Sequence, residues 1–334
     1  MKQKVIVGKC KGYDASLVKE AILQMAGYIG PLNAIIRPQR EVILKPNMIC
    51  AAEADRHVTT HPVFIEGVIQ IVKDLGGRPV ISDSPAFGSL VGVAKKCGLF
   101  DIARRYNVPL REFKQPVRLD LITSITPRGL VLDRAAIDAE CLINLPKLKS
   151  HVQLIYSGAV KNLYGCMPGK RKVWPHFVAQ NDTKRFCEML VRICAVLKPP
   201  LTIMDGIIAM QGRGPRKGST AELGVIVLGK DDVAIDTVIS GMLRIKEDRY
   251  DILSMARGLG VGTGRQEDIE TIGIDVDISN GLKLELPQEL DDITFNLPRV
   301  IRSAVRHFFI KRICEHIMPR SHAARKPGIN DCKE

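Results

Sequence analysis

Short apolar runs alternate with longer stretches at the helical period along this chain, the pattern of strands that hand over to helices. Residues 5–7 and 41–46 read as strands, and 15–25 between them as a helix. Thr59-Thr-His-Pro62 then sets a proline in the first turn of a helix whose Val63, Phe64, Gly67, Val68, Ile71, Val72 and Leu75 share one face. Gly76-Gly77 closes that helix, and 79–81 read as a strand running into Ser82-Asp-Ser-Pro85. Strand, helix and strand in this order make a βαβ unit, which implies parallel strands with right-handed crossovers. The alternation recurs: helices are expected at 90–97, 100–106, 183–197, 233–242 and 250–257, and strands at 201–204, 224–228 and 269–274. The expected fold is therefore α/β, a mostly parallel sheet with helices on both faces, built from repeated βαβ units over a main domain of residues 1–296. Residues 297–318 add a basic amphipathic helix, with Ile301, Val305 and Phe309 opposed to Arg299, Arg302 and Arg306. That helix is expected to dock on the domain or to lie on a membrane, and 297–334 form the second segment.

Composition narrows the partners. The chain has 334 residues, 46% of them hydrophobic, and a formal charge of +13, which calls for an acidic partner. Aromatic residues make up only 5%, which disfavours the stacking platforms that hold single-stranded nucleic acid. No apolar run approaches the roughly 20 residues that cross a bilayer, so no transmembrane segment is expected. The opening MKQKVIVGKC enters a strand directly, without a charged and apolar leader, and nine unevenly spaced cysteines suit a reducing compartment, so a cytoplasmic location is expected. Cys187 and Cys194 share one helix face and read as small core residues.

The chemistry gathers in CLINLPKLKSHVQLIYSGAVKNLYGCMPGKRK at 141–172. An apolar run at 141–145 reads as a buried strand stopped by Pro146, with Lys147, Lys149, Ser150 and His151 at its carboxyl edge. A helix over 153–163 would carry Lys161 and Asn162, and the turn Gly165 to Gly169 would end it before Lys170, Arg171 and Lys172. Glycines admit a ligand close to backbone N–H groups and lysines supply point charges, so the stretch suits a phosphate or carboxylate, with the Cys166 thiol at its centre. Ligands in open α/β sheets gather at strand carboxyl ends. There the sequence offers Cys10, Lys45 with Asn47, Asp83 with Ser84, Lys147 with Lys149 and His151, and Asp205.

Gly212-Arg-Gly-Pro-Arg-Lys-Gly-Ser219 has the wrong order for a phosphate loop and is followed by a strand, although Arg213, Arg216 and Lys217 still make a basic loop able to close over the same anion. The glycine-rich 258–264 follows a helix instead of a strand, which removes the dinucleotide fingerprint. Neither HExxH nor GxSxG nor paired CxxC is present.

Taken together, KPN at 45–47, THP at 60–62, SDSP at 82–85, NLPKLKSH at 144–151, GAVKNLYGCMPG at 158–169 and MDGI at 204–207 resemble the domain-of-unknown-function family number 362. The resemblance spans roughly residues 5–275 and implies an iron–sulfur association, because many members carry a ferredoxin-like cysteine module after the main domain. Here the chain ends KPGINDCKE, so Cys332 looks like the first ligand of such a module, and a [4Fe–4S] cluster would need a longer form of the chain.

The expected function is that of an iron–sulfur-associated oxidoreductase. Lys45, Asn47, Ser84, Lys147, Lys149, Lys161, Asn162, Gly165 and Gly169 would bind a small anionic substrate. Asp83 and His151 would transfer protons, and Cys166 would act as a redox thiol or metal ligand. A ferredoxin-like partner would supply electrons. Two alternatives fit the same composition, a basic nucleic-acid-binding module and a protein that binds or transfers metal through scattered Cys and His.

Overall fold

The computed structural model describes residues 2–291, apart from 180, 181 and 247. Its strands are β1 (Gln3–Lys9), β2 (Glu41–Pro46), β3 (Arg78–Asp83), β4 (Leu110–Glu112), β5 (Pro116–Leu119), β6 (Leu130–Asp133), β7 (Leu142–Leu145), β8 (Lys147–His151), β9 (Ile155–Ser157), β10 (Leu201–Gln211), β11 (Ser219–Gly229) and β12 (Ile269–Ile274). Its helices are α1 (Ala15–Ala26), α2 (Pro62–Asp74), α3 (Leu90–Cys97), α4 (Leu99–Arg105), α5 (Arg134–Ile137), α6 (Ala159–Asn162), α7 (Val173–Ala179), α8 (Thr183–Leu197), α9 (Asp232–Met242) and α10 (Asp251–Leu259). The basic helix expected at 297–318 and Cys332 lie outside the described residues.

The main sheet runs β12-β1-β11-β10-β7-β2-β3-β4, with β8 beside β10 and β9 beside β8. Most pairings are parallel. The exceptions are β11, which lies antiparallel to both its neighbours, and the β8–β9 hairpin. Strand β7 pairs with the start of β10, and β8 pairs with its later part through Asp205 opposite Lys147 and Met210 opposite Lys149. Pro146 marks the break between β7 and β8, and its carbonyl still accepts from Asp205 N at 2.9 Å.

Side chains alternate across the sheet and so build two cores. Val5, Ile43, Leu142, Met204 and Val227 pack on one side with α8, α9 and α10 residues such as Leu190, Ile235 and Leu253. Ile6, Leu44, Ile143, Ile203 and Leu228 pack on the other with α1, α2, α3 and α4 residues such as Ile22, Val68, Val93 and Ile102. The fold is thus α/β, with a mostly parallel mixed sheet covered on both faces.

Two expectations are corrected. The helix over 153–163 does not form: Ile155–Ser157 is strand β9, and only Ala159–Asn162 is α-helical before a 3₁₀ turn at Leu163–Cys166. Gly158 has an extended backbone and a Cβ there would strike Asp236 Oδ1 at 2.1 Å, so tertiary packing overrides the local helical pattern. The strand at 201–204 continues to Gln211, so Asp205 lies inside β10 and not past its end.

Candidate functional site

Lysine 147, leucine 148 and lysine 149 alternate along β8, which turns Leu148 into the core and puts both ammonium groups on the opposite face. Lys147 is fully buried, and its Nζ donates to Asp205 Oδ2 at 2.8 Å and to Tyr13 Oη at 2.6 Å. The Tyr13 hydroxyl donates to Asp205 Oδ1 at 2.8 Å, and His61 N donates to Oδ2 at 3.0 Å. Tyr13 is stacked on His61 with centroids 3.6 Å apart and on His57 at 5.7 Å. Burial holds both imidazoles down to about 4 and pushes the Tyr13 phenol far above its ordinary range. The Nδ1 of His61 caps α2 by accepting from Val63 N at 3.3 Å, whereas the buried Nδ1 of His57 has no hydrogen-bond partner among the described residues.

A second buried pair joins β2 to β3. Lys45 Nζ lies 2.8 Å from Asp83 Oδ1 and donates to the Pro46 carbonyl at 2.7 Å. Asp83 also accepts from Met48 N and Ser84 N, each at 2.8 Å. Gly165 lies against this pair, since a Cβ there would meet Asp83 Oδ1 at 2.2 Å. The exposed Gly169 donates its N–H to Ser84 Oγ at 2.9 Å, and Lys172 Nζ donates to the Ser84 carbonyl. Lys172 is buried, and that burial lowers its amine to about 8. Cys166 is wholly buried, and the apolar surroundings push its thiol up to about 12, which keeps it protonated.

Lys149 differs from these two lysines. Only 1% exposed, it donates to Asn47 Oδ1 at 2.8 Å and to the Val58 carbonyl at 2.6 Å, both neutral acceptors. Burial, reinforced by the charge of Lys161, holds its amine well below the ordinary lysine value. The side chain of Lys161, half-buried on α6, makes no hydrogen bond or ion pair among the described residues, and burial lowers its amine to about 8. His151 is buried and accepts from Gln153 N at its Nδ1; burial first, then Lys161 and Lys149, hold it well below its ordinary value. The charge of Arg216 acts on Cys50, as does that of Lys149, and the guanidinium stands 5.0 Å over the Phe87 ring. The basic loop between β10 and β11 therefore reaches the same neighbourhood.

The structure brings Lys45, Asn47, Asp83, Ser84, Lys147, Lys149, His151, Lys161, Asn162 and Gly165 into one connected region at the carboxyl ends of β2, β3 and β7. Asn47 Nδ2 donates to Asn162 Oδ1 at 3.1 Å and Asn162 Nδ2 donates to the Lys45 carbonyl at 3.2 Å, which ties the Lys45 and Lys149 halves together. Among the described residues no group of three His, Cys, Asp or Glu side chains is placed to hold a metal ion. Sequence reasoning missed Tyr13, His57 and His61 as part of the same wall. It also missed Asn144, fully buried in β7, and the acids Asp232 and Asp236 at helical spacing on α9. A lone Asn in an apolar strand and two acids on an otherwise apolar helix were the available signals.

A family model described as "Domain of unknown function (DUF362)" matches residues 42–241. A thylakoid-associated protein of Synechocystis sp. is 34% identical over 320 residues, covering 94% of this chain and 97% of that protein. Among solved structures, the lactate racemase apoprotein from Thermoanaerobacterium thermosaccharolyticum aligns at a TM-score of 0.43 and 12% identity, over 68% of this chain. The chain spans about half of that protein, 54% of its length. No helix of the described residues is long and apolar enough to cross a membrane.

Proposed function

The chain belongs to the family of domains of unknown function number 362, and on that premise we propose that it is an enzyme acting on a small molecule that carries a phosphate or carboxylate. The observation that carries this reading is Lys149, a buried amine on which the charge of Lys161 is the largest electrostatic influence after burial and whose two hydrogen-bond acceptors are neutral. A lysine in such a place is poised to gain its proton when an anion arrives, because a nearby negative charge favours the ammonium form. An ammonium has three N–H donors; two are taken by Asn47 and Val58, and the third belongs to the ligand.

Lys161 supplies the second cation, and Arg216 on the loop between β10 and β11 the third. His151 and Lys161 carry proton transfer in this reading, since neither is committed to a carboxylate. Asp83 is assigned a different role from the proton donor expected of it. Its oxygens serve Lys45, Met48 N and Ser84 N, so it acts as the counter-ion that holds β2 against β3. Cys166, held as a buried thiol, acts as packing against the same pair. The oxidoreductase expectation and its ferredoxin-like donor rest on the family resemblance and on Cys332, and nothing in this site depends on them. A cytoplasmic location likewise stays an inference, beside a relative named for thylakoid association.

Thermal unfolding in the presence of inorganic phosphate and a panel of small mono- and dicarboxylates tests the site. A ligand at 100 times its Kd adds about 2.7 kcal/mol to stability, which is a rise of roughly 4 °C in Tm for a domain of this size. Lys149→Met and Lys161→Met are each expected to weaken binding at least about tenfold, the effect of one lost charge-assisted hydrogen bond. No stabilisation of the wild-type protein by any of these anions, or equal stabilisation of both variants, would remove the proposal.

A further inference from the structure

Four hydrogen bonds run in a single direction from Lys149 into the protein. Lys149 Nζ donates to Asn47 Oδ1 at 2.8 Å, Asn47 Nδ2 to Asn162 Oδ1 at 3.1 Å, Asn162 Nδ2 to Asn144 Oδ1 at 2.8 Å, and Asn144 Nδ2 to Asp232 Oδ1 at 2.8 Å. The orientation of each amide is fixed by a partner that can act in only one way. Asn162 Nδ2 also donates to the Lys45 carbonyl at 3.2 Å and Asn144 Nδ2 to the Ala159 carbonyl at 3.1 Å, and carbonyls only accept; Asn162 Oδ1 then takes the Asn47 Nδ2 bond and leaves Asn47 Oδ1 toward Lys149. Flipping any one amide would place oxygen against oxygen or leave the lysine facing an NH₂ group. Lys149, Asn162, Asn144 and Asp232 are all nearly or wholly removed from water, where aligned hydrogen bonds polarise one another.

Taking the anion-binding reading as its basis, we infer that Asp232 is the remote counter-ion of Lys149, connected to it through the three asparagine amides, and that it positions and charges this amine for the incoming anion. Asp232 itself is 4% exposed and its carboxylate also accepts from Thr202 Oγ1 at 2.6 Å, so it is a positioning residue that no ligand touches. Its place in the first turn of α9 favours the ionised form, as expected of an acid at a helix N-terminus. Burial opposes this and raises the carboxyl to about 6, which leaves it ionised at neutral pH. The ionisable groups around it are Asp231 and Asp236 on its own helix and Cys194 on α8. Those around Lys149 are Lys147 and His151 on β8, Lys161 on α6, Cys50 after β2, and Asp83 on β3. Asp83 and Cys50 also favour the ammonium form of Lys149, and Asp232 adds to them at a distance, through the amides, so that the third donor stays free.

The test reads Lys149 without any ligand. Lysine labelled with ¹³C at Cε in the full chain is titrated by NMR, the Lys149 resonance being assigned by its loss in Lys149→Met. Asp232→Asn is expected to lower the Lys149 midpoint by about one unit, the size of a single buried charge acting across several bonds. Asn144→Leu, which cuts the chain but keeps Asp232 ionisable, is expected to shift it in the same direction and guards against one variant failing to fold. An unchanged midpoint in both would overturn the counter-ion, and a shift in Asp232→Asn alone would overturn the relay. Inorganic phosphate added to the same samples separates this from the anion site. A wild-type protein that ignores phosphate sinks the site, while the lysine titration still judges Asp232.

Discussion

A methyl group built on Gly165 would lie 2.2 Å from Asp83 Oδ1 and 2.3 Å from Lys45 Nζ. Both groups are buried and bound to one another and to backbone groups, so neither has room to withdraw. Gly165→Ala is expected to destabilise the fold by about 2–3 kcal/mol, the usual range for overpacking, with a further loss if the ion pair separates. A urea midpoint equal to that of the wild type would show that the pair is free to move. The residues at this scale were legible as types and positions: Lys45, Asp83, Lys147, Lys149 and His151 all stand out in the sequence as polar groups at strand ends. Their division of labour was not. Nothing local to KLKSH distinguishes Lys147, neutralised by Asp205, from Lys149, which meets only amide and carbonyl oxygens; that depends on which residues β10 and the 47–61 segment bring across.

At the scale of elements, the long amphipathic helices and the strands at 41–46 and 269–274 followed from periodicity and turn chemistry, because their own residues decide them. Strands β8 and β9 did not, since their pairing with β10 and with each other is non-local and the 153–163 pattern suits a helix equally well. The segment between β2 and α2 carries a consequence of its own. It holds His57, buried, in the left-handed region at φ 48°, and His61 at the cap of α2. Both rings are held down to about 4 by burial, against an ordinary 6.5. Between these values the unfolded chain takes up protons that the native rings refuse, so stability is complete above pH 6.5 and falls as pH drops toward 4. His57 alone is expected to contribute at most about 3 kcal/mol to that loss. His57→Asn, which tolerates the left-handed backbone, should flatten the loss seen by urea unfolding between pH 6.5 and 4.5. A slope identical to that of the wild type would mean that His57 is already protonated in the native state.

For the whole molecule, a formal charge of +13 invites a polyanion as partner, yet charge and accessibility are different quantities. Lys45, Lys147, Lys149 and Lys172 are buried, two of them on carboxylates, so none can track a nucleic-acid backbone. What composition alone could not supply was this partition between interior and surface, which only the packing of β2, β3, β8 and the Gly165 turn creates. The partition predicts two different responses to salt. Contacts made by surface cations such as Arg213 and Lys217 release counter-ions and weaken steeply, by about a thousandfold for six phosphates between 50 and 200 mM. An anion held by Lys149 and Lys161 sits inside the screening length of about 8 Å at 0.15 M and at low local dielectric, and should keep most of its affinity. Duplex DNA retardation and phosphate-induced thermal stabilisation, measured on one preparation at both salt concentrations, read the two effects together. Retardation is expected to disappear by 200 mM while the rise in Tm persists. DNA binding that survives 200 mM salt, with phosphate stabilisation lost, would instead place the functional cations on the outside of the molecule.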